Sequence, residues 1–537
     1  METIAPHWTS LLPPLVAIGL ALITRQVVFS LFLGIYTGAL IAFGWNPLTA
    51  FLGLIERYIV PALADADHAA IIIFSMMLGG LVGVISKSGG VMGIVKKVER
   101  FAHTARMGQV ATWLMGILIF FDDYANTLIV GNTMRPITDR FRVSREKLSF
   151  IVDSTAAPVA CMFLSTWIGY ELGVIGDSIK GTGFTEDPFS IFVMSIPYRF
   201  YALLAIAFVG IIAISKRDFG PMLRAERRAR KTGELVAPGS EPAADVTDLS
   251  KVLPGEHIKP RWINGALPIA TVIVVTIIGI WHSGYEAASA AGLATDIKSV
   301  LASASSSTAL FWGSLSGCAI AIALAVGQRL LSLHDAMEAW FAGIKSMLLA
   351  MLILILAWSI SAVTRELKTA EFVVQIVGGT LPLWVVPAIT FFLAGFISFA
   401  TGTSWGSMAI LMPIVVPLAW DLSVRAGHGP AEAHGSLYVV VSAVLAGAVW
   451  GDHCSPISDT TVMSSMASAC DHIDHVRTQM PYAVVVGIVS VLAGYLPAGL
   501  GFSPWASLSI SLAVLIGLIY VFGRKAEKGN FNKGGTA

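Results

Sequence analysis

The stretch Gly451-Asp452-His453-Cys454-Ser455-Pro456-Ile457-Ser458-Asp459-Thr460-Thr461 sets two acids, a histidine, a proline and four hydroxyls inside an apolar run spanning 437–465. That run is long enough to cross about 30 Å of hydrocarbon at about 1.5 Å per helical residue. Three other clusters interrupt apolar stretches in the same way. They are Phe121-Asp122-Asp123-Tyr124-Ala125-Asn126-Thr127, Asp153-Ser154-Thr155-Ala156-Ala157-Pro158 and Ala400-Thr401-Gly402-Thr403-Ser404-Trp405-Gly406. Gly, Pro and paired hydroxyls at mid-span break a helix and free backbone groups that lipid cannot satisfy. Such backbone survives only where it lines a cavity enclosed by protein.

The rest of the chain fits this reading. Of 537 residues, 55% are hydrophobic and 13% charged, far from the soluble norm of about a quarter charged, which excludes an ordinary globular enzyme. The fold class expected is all-α and polytopic, with about eleven crossings near 10–24, 27–44, 68–86, 148–172, 191–214, 264–282, 307–328, 346–363, 437–465, 481–499 and 504–522. Because apolar runs recur throughout, they are read as spans and not as a signal peptide. The segments 108–138 and 383–419, each split by one polar cluster, are expected to be re-entrant hairpins. With the N-terminus outside, 28 of the 35 Lys and Arg fall on the inner face and 7 on the outer, the positive-inside pattern. This orientation puts the C-terminus in the cytoplasm of a bacterial inner membrane. Four scattered cysteines without a CxxC pair signal neither disulfides nor zinc, and nothing supports nucleic-acid binding.

Polar and Gly/Pro punctuation repeats. Gly34 and Gly38 recur as Gly313 and Gly317, Asn126-Thr127 and Pro136 as Thr403-Ser404 and Pro413, and Pro197-Tyr198 as Pro481-Tyr482, each about 280 residues further on. Two copies are therefore expected, 1–215 and 263–500, each with about five crossings and one hairpin. An odd number of crossings inverts the second copy, a common plan among secondary transporters. Between them 216–262, with Lys216 to Lys231 strongly basic, reads as a solvated cytoplasmic linker. A further span and basic tail occupy 501–537.

Asp122, Asp123, Asp153, Asp452 and Asp459 each cost about 2.5–3.5 kcal/mol near the bilayer centre. A desolvated carboxylate holds either a proton or a metal cation, and competition for it is exchange in its simplest form. Asp122 and Asp123 point about 100° apart on a helix, so one faces the site while the other caps a helix or pairs with a base; the sequence does not say which. The bland reading of all five is helix capping. His453 suits proton coupling, or is a neutral ring bonded to a carbonyl. Cys470-Asp471-His472-Ile473-Asp474-His475 lacks metal-site spacing and reads as a solvated loop. Arg135 and Lys147 read as interfacial anchors. No Arg or Lys lies in the four clusters, which favours a cation over an anion.

The strings FDDYANTLIVGNTMRPITDRF, SREKLSFIVDSTAAPVA, GTSWGSMAILMPIVVPLAW, GDHCSPISDTTVMSS and CDHIDHVRTQMPYA together resemble the NhaC family of sodium/proton antiporters. The resemblance implies two hairpins tipped by Asn126-Thr127 and Thr403-Ser404, breaks at Asp153-Ser154-Thr155 and Ser455-Pro456-Ile457-Ser458, an elevator mechanism and a homodimer. The second tip reads Gly402-Thr403-Ser404 and lacks the family's Asn. The expected ion or substrate site comprises Asp122, Asp123, Asn126, Thr127, Asp153, Ser154, Thr155, Gly402, Thr403, Ser404, Asp452, His453, Ser455, Ser458, Asp459 and Thr460. Na+ would be held by a subset of Asn126, Thr127, Asp153, Thr403, Ser404, Asp452 and Asp459. No cofactor is expected besides the transported Na+ and H+. Coupled transport of an organic solute, an amino acid or carboxylate, is the alternative. A hydrolase built on Asp452, His453 and Asp459 lacks a second histidine near mid-depth.

Overall fold

A computed structural model of the chain describes residues 6–240, 255, 258–292, 300, 304–377 and 381–526, except Arg25, Arg100 and Thr185. Among these the chain is helical throughout, apart from one two-residue strand pair, Arg217–Asp218 against Arg524–Lys525. Ten helices are long and apolar enough to cross a membrane, eleven if the pair Pro188–Tyr198 and Phe200–Ser215, bent by 48°, counts as one. The chain is thus an all-α, multi-pass membrane protein, with the expected number of spans but different members. Pro47–Ala64 qualifies, and so does each helix of the segment expected to be a re-entrant hairpin, Leu383–Thr401 and Ser404–Arg425, whereas Trp8–Ala21 and Val27–Ala42 are short.

Pro47–Ala64 falls between the expected crossings 27–44 and 68–86, on the expected outer face with Arg57. Local chemistry makes it helical. Asn46 accepts from the Leu48 and Thr49 amides at 3.1 and 3.3 Å, Pro47 occupies the first turn where its missing N–H costs nothing, and Arg57 pairs with Glu366 at 2.7 Å.

Helices Leu12–Thr24 and Val27–Ala42 pack on each other, as do Ile263–Ala290 and Ser306–Gly327. Val27–Ala42 also packs on Leu348–Glu366, and Ser306–Gly327 on Ala66–Lys87, giving a frame of two three-helix groups. The chain also forms two helical hairpins. The first is Ala105–Leu118 with Asp123–Arg140, the second Val386–Thr401 with Ser404–Arg425. Each is followed by an interrupted span. Arg145–Asp153 unwinds at Ser154, resumes for one turn at Ala157–Ala160, and continues as Ile168–Ile179. Pro430–Cys454 unwinds over Ser455–Ser458 and resumes as Asp459–Ala467. Both breaks fall on the polar clusters.

The basic segment after Ser215 differs from the solvated linker expected. Gly220–Thr232 is a helix whose Glu226 accepts from the Ser144 amide (2.8 Å) and hydroxyl (3.0 Å) and pairs with Arg230 at 3.0 Å. Arg228 grips Glu146 at 2.8 Å. Lys147, read as an interfacial anchor, is instead fully buried and paired with Asp218, which also accepts from the Tyr482 hydroxyl at 2.8 Å. Four-residue spacing put Met222, Ala225, Glu226 and Ala229 on one face, a pattern obscured in the sequence by seven surrounding bases. Residues 241–254 of the linker, and the tail beyond 526, lie outside the described residues.

Breaking a buried pair leaves an uncompensated charge, which costs about 3–5 kcal/mol. Asp218→Ala is therefore expected to lower thermal stability in detergent sharply, while Lys147→Met combined with Asp218→Leu recovers most of it. Fluorescence-detected melting of the two variants checks this.

Candidate functional site

Each hairpin tip is fastened to the break that follows it in the chain. The Asn126 amide donates to Gly116 O (2.7 Å), Ile119 O (3.2 Å) and Thr155 O (2.8 Å), closing the first hairpin and tying it to the first break. A side chain at Gly116 would collide with Thr155, so only glycine permits the approach. At the second tip Gly402 has φ +71°, in the left-handed region, beside the Ile457 carbonyl. The Ser455 hydroxyl donates to Phe399 O at 2.7 Å. Thr127 and Thr155 spend their hydroxyls on Asp123 O and Ile151 O, both at 2.8 Å.

The two breaks then cross. Asp153, last residue of its half-helix, accepts from Thr461 (3.0 Å) and Ser464 (3.3 Å) on the half-helix of the other break, and from the Gln479 amide (2.5 Å). Ser154 meets His453 Nε2 at 3.0 Å, while Tyr201 OH meets His453 Nδ1 at 2.6 Å. His453 thus bonds to two hydroxyls and its ring to no carbonyl. Asp452 accepts from Ser404, at the second tip, through Oδ2 at 3.0 Å. Its Oδ1 is buried with no hydrogen-bond partner among the described residues, and so is Asn126 Oδ1; the Ser458 side chain also lies near the Asp452 carboxylate. Ser458 and Thr460 bond to each other at 3.1 Å.

Asp122 and Asp123 divide the two roles left open by the sequence. Asp122 is the N-cap of Asp123–Arg140, accepting from the Ala125 amide at 2.7 Å and from Thr166 at 3.1 Å. Asp123 opens the helix, buried beside it. Asp459 opens Asp459–Ala467, is exposed, and has the Tyr124 hydroxyl beside it. Thr403 caps the second hairpin helix by position with no side-chain bond. Among the described residues no Lys or Arg pairs with any of the five acids, and Asp153 has only His453 at 3.8 Å and His475 at 3.9 Å.

The run Cys470 to His475 differs from the solvated loop expected. Cys470 and His475 are buried, and Asp471 caps His472–Val489, accepting from the Asp474 amide at 3.0 Å. His475 and Gln479 reach the centre of the protein from this helix. Sequence reasoning missed them, together with Tyr201, Thr461 and Ser464. A signal existed: His472, His475 and Gln479 fall at i, i+3 and i+7, and Thr461 and Ser464 at i, i+3, so each set makes one polar stripe.

A sequence model described as the Na+/H+ antiporter family matches residues 159–500. An uncharacterized protein of Haemophilus influenzae is 34% identical over 515 residues, covering 94% of each chain. A malate-2H(+)/Na(+)-lactate antiporter of Bacillus subtilis is 30% identical over 194 residues, 33% of this chain and 37% of that protein. An arginine/ornithine antiporter of Halobacterium salinarum is 33% identical over 133 residues, 23% of this chain and 25% of that one.

If Asp122 acts as a cap, an amide replaces it well, since Asn caps as effectively as Asp while Ala costs about 1 kcal/mol. Asp122→Asn is expected to melt with the unaltered protein, and Asp122→Ala below it.

Proposed function

Because the chain belongs to the Na+/H+ antiporter family and is a multi-pass secondary transporter, we propose that it exchanges a small cation, Na+ first among candidates, for protons. The observation that carries this reading is a set of five acids at the breaks and tips with no Lys or Arg pairing with them among the described residues. Such a set attracts cations and protons and repels anions.

Position within the helices separates their roles. Asp122, Asp123 and Asp459 sit at helix N-termini, where the macrodipole stabilises negative charge. Asp153 ends Arg145–Asp153, and Asp452 lies in the last turn of Pro430–Cys454, where the dipole opposes it. These two need a counter-charge most. Asp452, with its unpartnered Oδ1 and Ser404 alongside, is assigned to the cation, together with Asn126 Oδ1 and Thr403 at the tips. Asp153 has both oxygens engaged by neutral donors and two histidines within 4 Å, and is assigned to the proton side.

The two halves present the same order of elements, hairpin then broken span. This supports reading 1–215 and 263–500 as inverted repeats, with hairpins and breaks moving as a unit against the frame in an elevator cycle. The basic face, with Gly220–Thr232, is assigned to the cytoplasm of the cell membrane, and a homodimer belongs to the same proposal. A second reading, favoured by the malate/lactate and arginine/ornithine names of two partial relatives, is coupled exchange of an organic acid or amino acid with the same acids holding the coupling ion.

In proteoliposomes loaded with a pH dye, adding Na+ is expected to drive proton movement, and Asp452→Asn to abolish it. No response to Na+, Li+ or K+ from mildly acidic to alkaline pH would overturn cation/proton exchange. Solute-dependent uptake of labelled malate or arginine in the same vesicles would establish the second reading instead.

A further inference from the structure

His472 and His475 both turn Nδ1 to the hydroxyl of Ser465, at 3.0 and 2.8 Å. Their other nitrogens fix the tautomers. His472 Nε2 lies 2.6 Å from the Pro456 carbonyl, which only accepts, so this nitrogen carries a proton. His475 Nε2 lies 2.9 Å from Gln479 Oε1. The Gln479 amide nitrogen is committed to two acceptors, Asp153 Oδ2 at 2.5 Å and His453 O at 2.6 Å, so its oxygen faces His475 and His475 Nε2 also donates. If both rings are neutral, each presents a bare Nδ1 lone pair to one hydroxyl. That hydroxyl has a single proton and a third acceptor, Thr461 O, at 2.9 Å.

Between the two rings alone, the arrangement is one proton short. An added proton on either Nδ1 completes it: that ring donates to Ser465 Oγ, and Ser465 donates to the other ring. We propose that His472, Ser465 and His475 form a relay that takes up one proton at the face carrying Gly220–Thr232 and delivers its charge beside Asp153. His472, half-buried next to exposed Ile473, is the entrance, and His475, fully buried with Nε2 3.9 Å from Asp153 Oδ2, is the inner end. In the transfer the His472 Nδ1–H bond breaks as a new O–H bond forms on Ser465, and the old O–H bond breaks as Nδ1–H forms on His475. No proton is gained or lost within the relay. The imidazolium moves one place inward and meets the Asp153 carboxylate as its counter-charge.

Several charged and titratable groups face this cluster. Asp153 and His453 approach from the two broken spans, Arg145 donates to Ala469 O at 3.0 Å, Glu146 lies near Cys470 and Asp474, and Cys470, Asp471 and Asp474 stand at or just before the start of His472–Val489. Asp471 caps that helix, and Asp474 accepts from Ser240 at 3.0 Å. Asp153 is thus the acid placed to neutralise an imidazolium at His475.

The relay rests on the cation/proton exchange proposed above, and its test separates the two. Full-length protein is reconstituted in vesicles, and two rates are measured with the same cation: dye-reported proton-coupled exchange, and self-exchange of labelled Na+ without a pH gradient. Ser465→Ala and His475→Gln are expected to lower the ratio of the first rate to the second by at least about tenfold, the low end of what a positioned proton-transfer group contributes. Ser465→Thr, which keeps the hydroxyl, restores it. Should Ser465→Ala fail to fold, His472→Gln at the half-buried entrance gives the same reading. An unchanged ratio in these variants overturns the relay while the exchange reading stands. Absence of proton-coupled exchange in the unaltered protein with Na+, Li+ or K+ overturns both.

Discussion

The structure depends on one constraint: carboxylates deep inside a membrane protein with no guanidinium or ammonium beside them. An isolated ionised carboxylate in an apolar interior is strongly disfavoured. Here its partners are hydroxyls, amides and helix ends, all neutral. Thr461, Ser464 and Gln479 around Asp153, Ser404 beside Asp452, and the Ala125 amide with Thr166 at Asp122 distribute partial positive charge where a full one is lacking. A helix start frees amides that a continuous helix uses itself, and Asp122 takes one of them at Ala125. The breaks at Ser154 and Ser455 and the tips at Asp122 and Gly402 therefore have a shared electrostatic purpose.

The same chain uses the opposite solution elsewhere. Glu171 and Arg199, both buried, bond at 2.8 Å, and Lys147 is paired with Asp218. Full ion pairs hold the spans Ile168–Ile179 and Phe200–Ser215, and the strand at Arg217–Asp218, in register with their neighbours. A paired acid already has its counter-charge, even where one oxygen stays without a hydrogen bond, as Glu171 Oε1 does. Buried acids in this protein thus fall into a paired class that fastens helices and an unpaired class that gathers at the breaks.

Much of this was legible in the sequence. Hydropathy gave the membrane class, and the interruption of apolar runs by Asp, Gly, Pro and hydroxyls located both hairpins and both breaks within a few residues. Three things were not legible, each for a physical reason. Asp122 and Asp123 could not be separated, because capping depends on which residue first turns helical. Charges cancelled by distant partners read as surface: Lys147 by Asp218, Glu146 by Arg228, Arg57 by Glu366. Finally, Tyr201 and Gln479 are single polar residues within apolar or mixed helices, and only the crossing of the two breaks shows that both converge on residues 153 and 453.

That convergence bears on how an ion and a proton would exclude each other without sharing one carboxylate. Asp452 and His453 are consecutive on the same final turn. The Gln479 amide bridges the His453 carbonyl and Asp153 Oδ2, at 2.6 and 2.5 Å, and the same Gln479 presents its oxygen to His475 at 2.9 Å. On the exchange proposed above, a cation drawn to Asp452 Oδ1 would act on the turn that carries His453 O, and so on the amide that holds Asp153. A proton arriving at His475 by the proposed relay would act on that amide from its other end, offering Asp153 an imidazolium 3.9 Å away. Both events would then act on one planar group, which already bonds Asp153, the His453 carbonyl and His475 together. Coupling of this kind needs no long pathway, only the one side chain that touches all three.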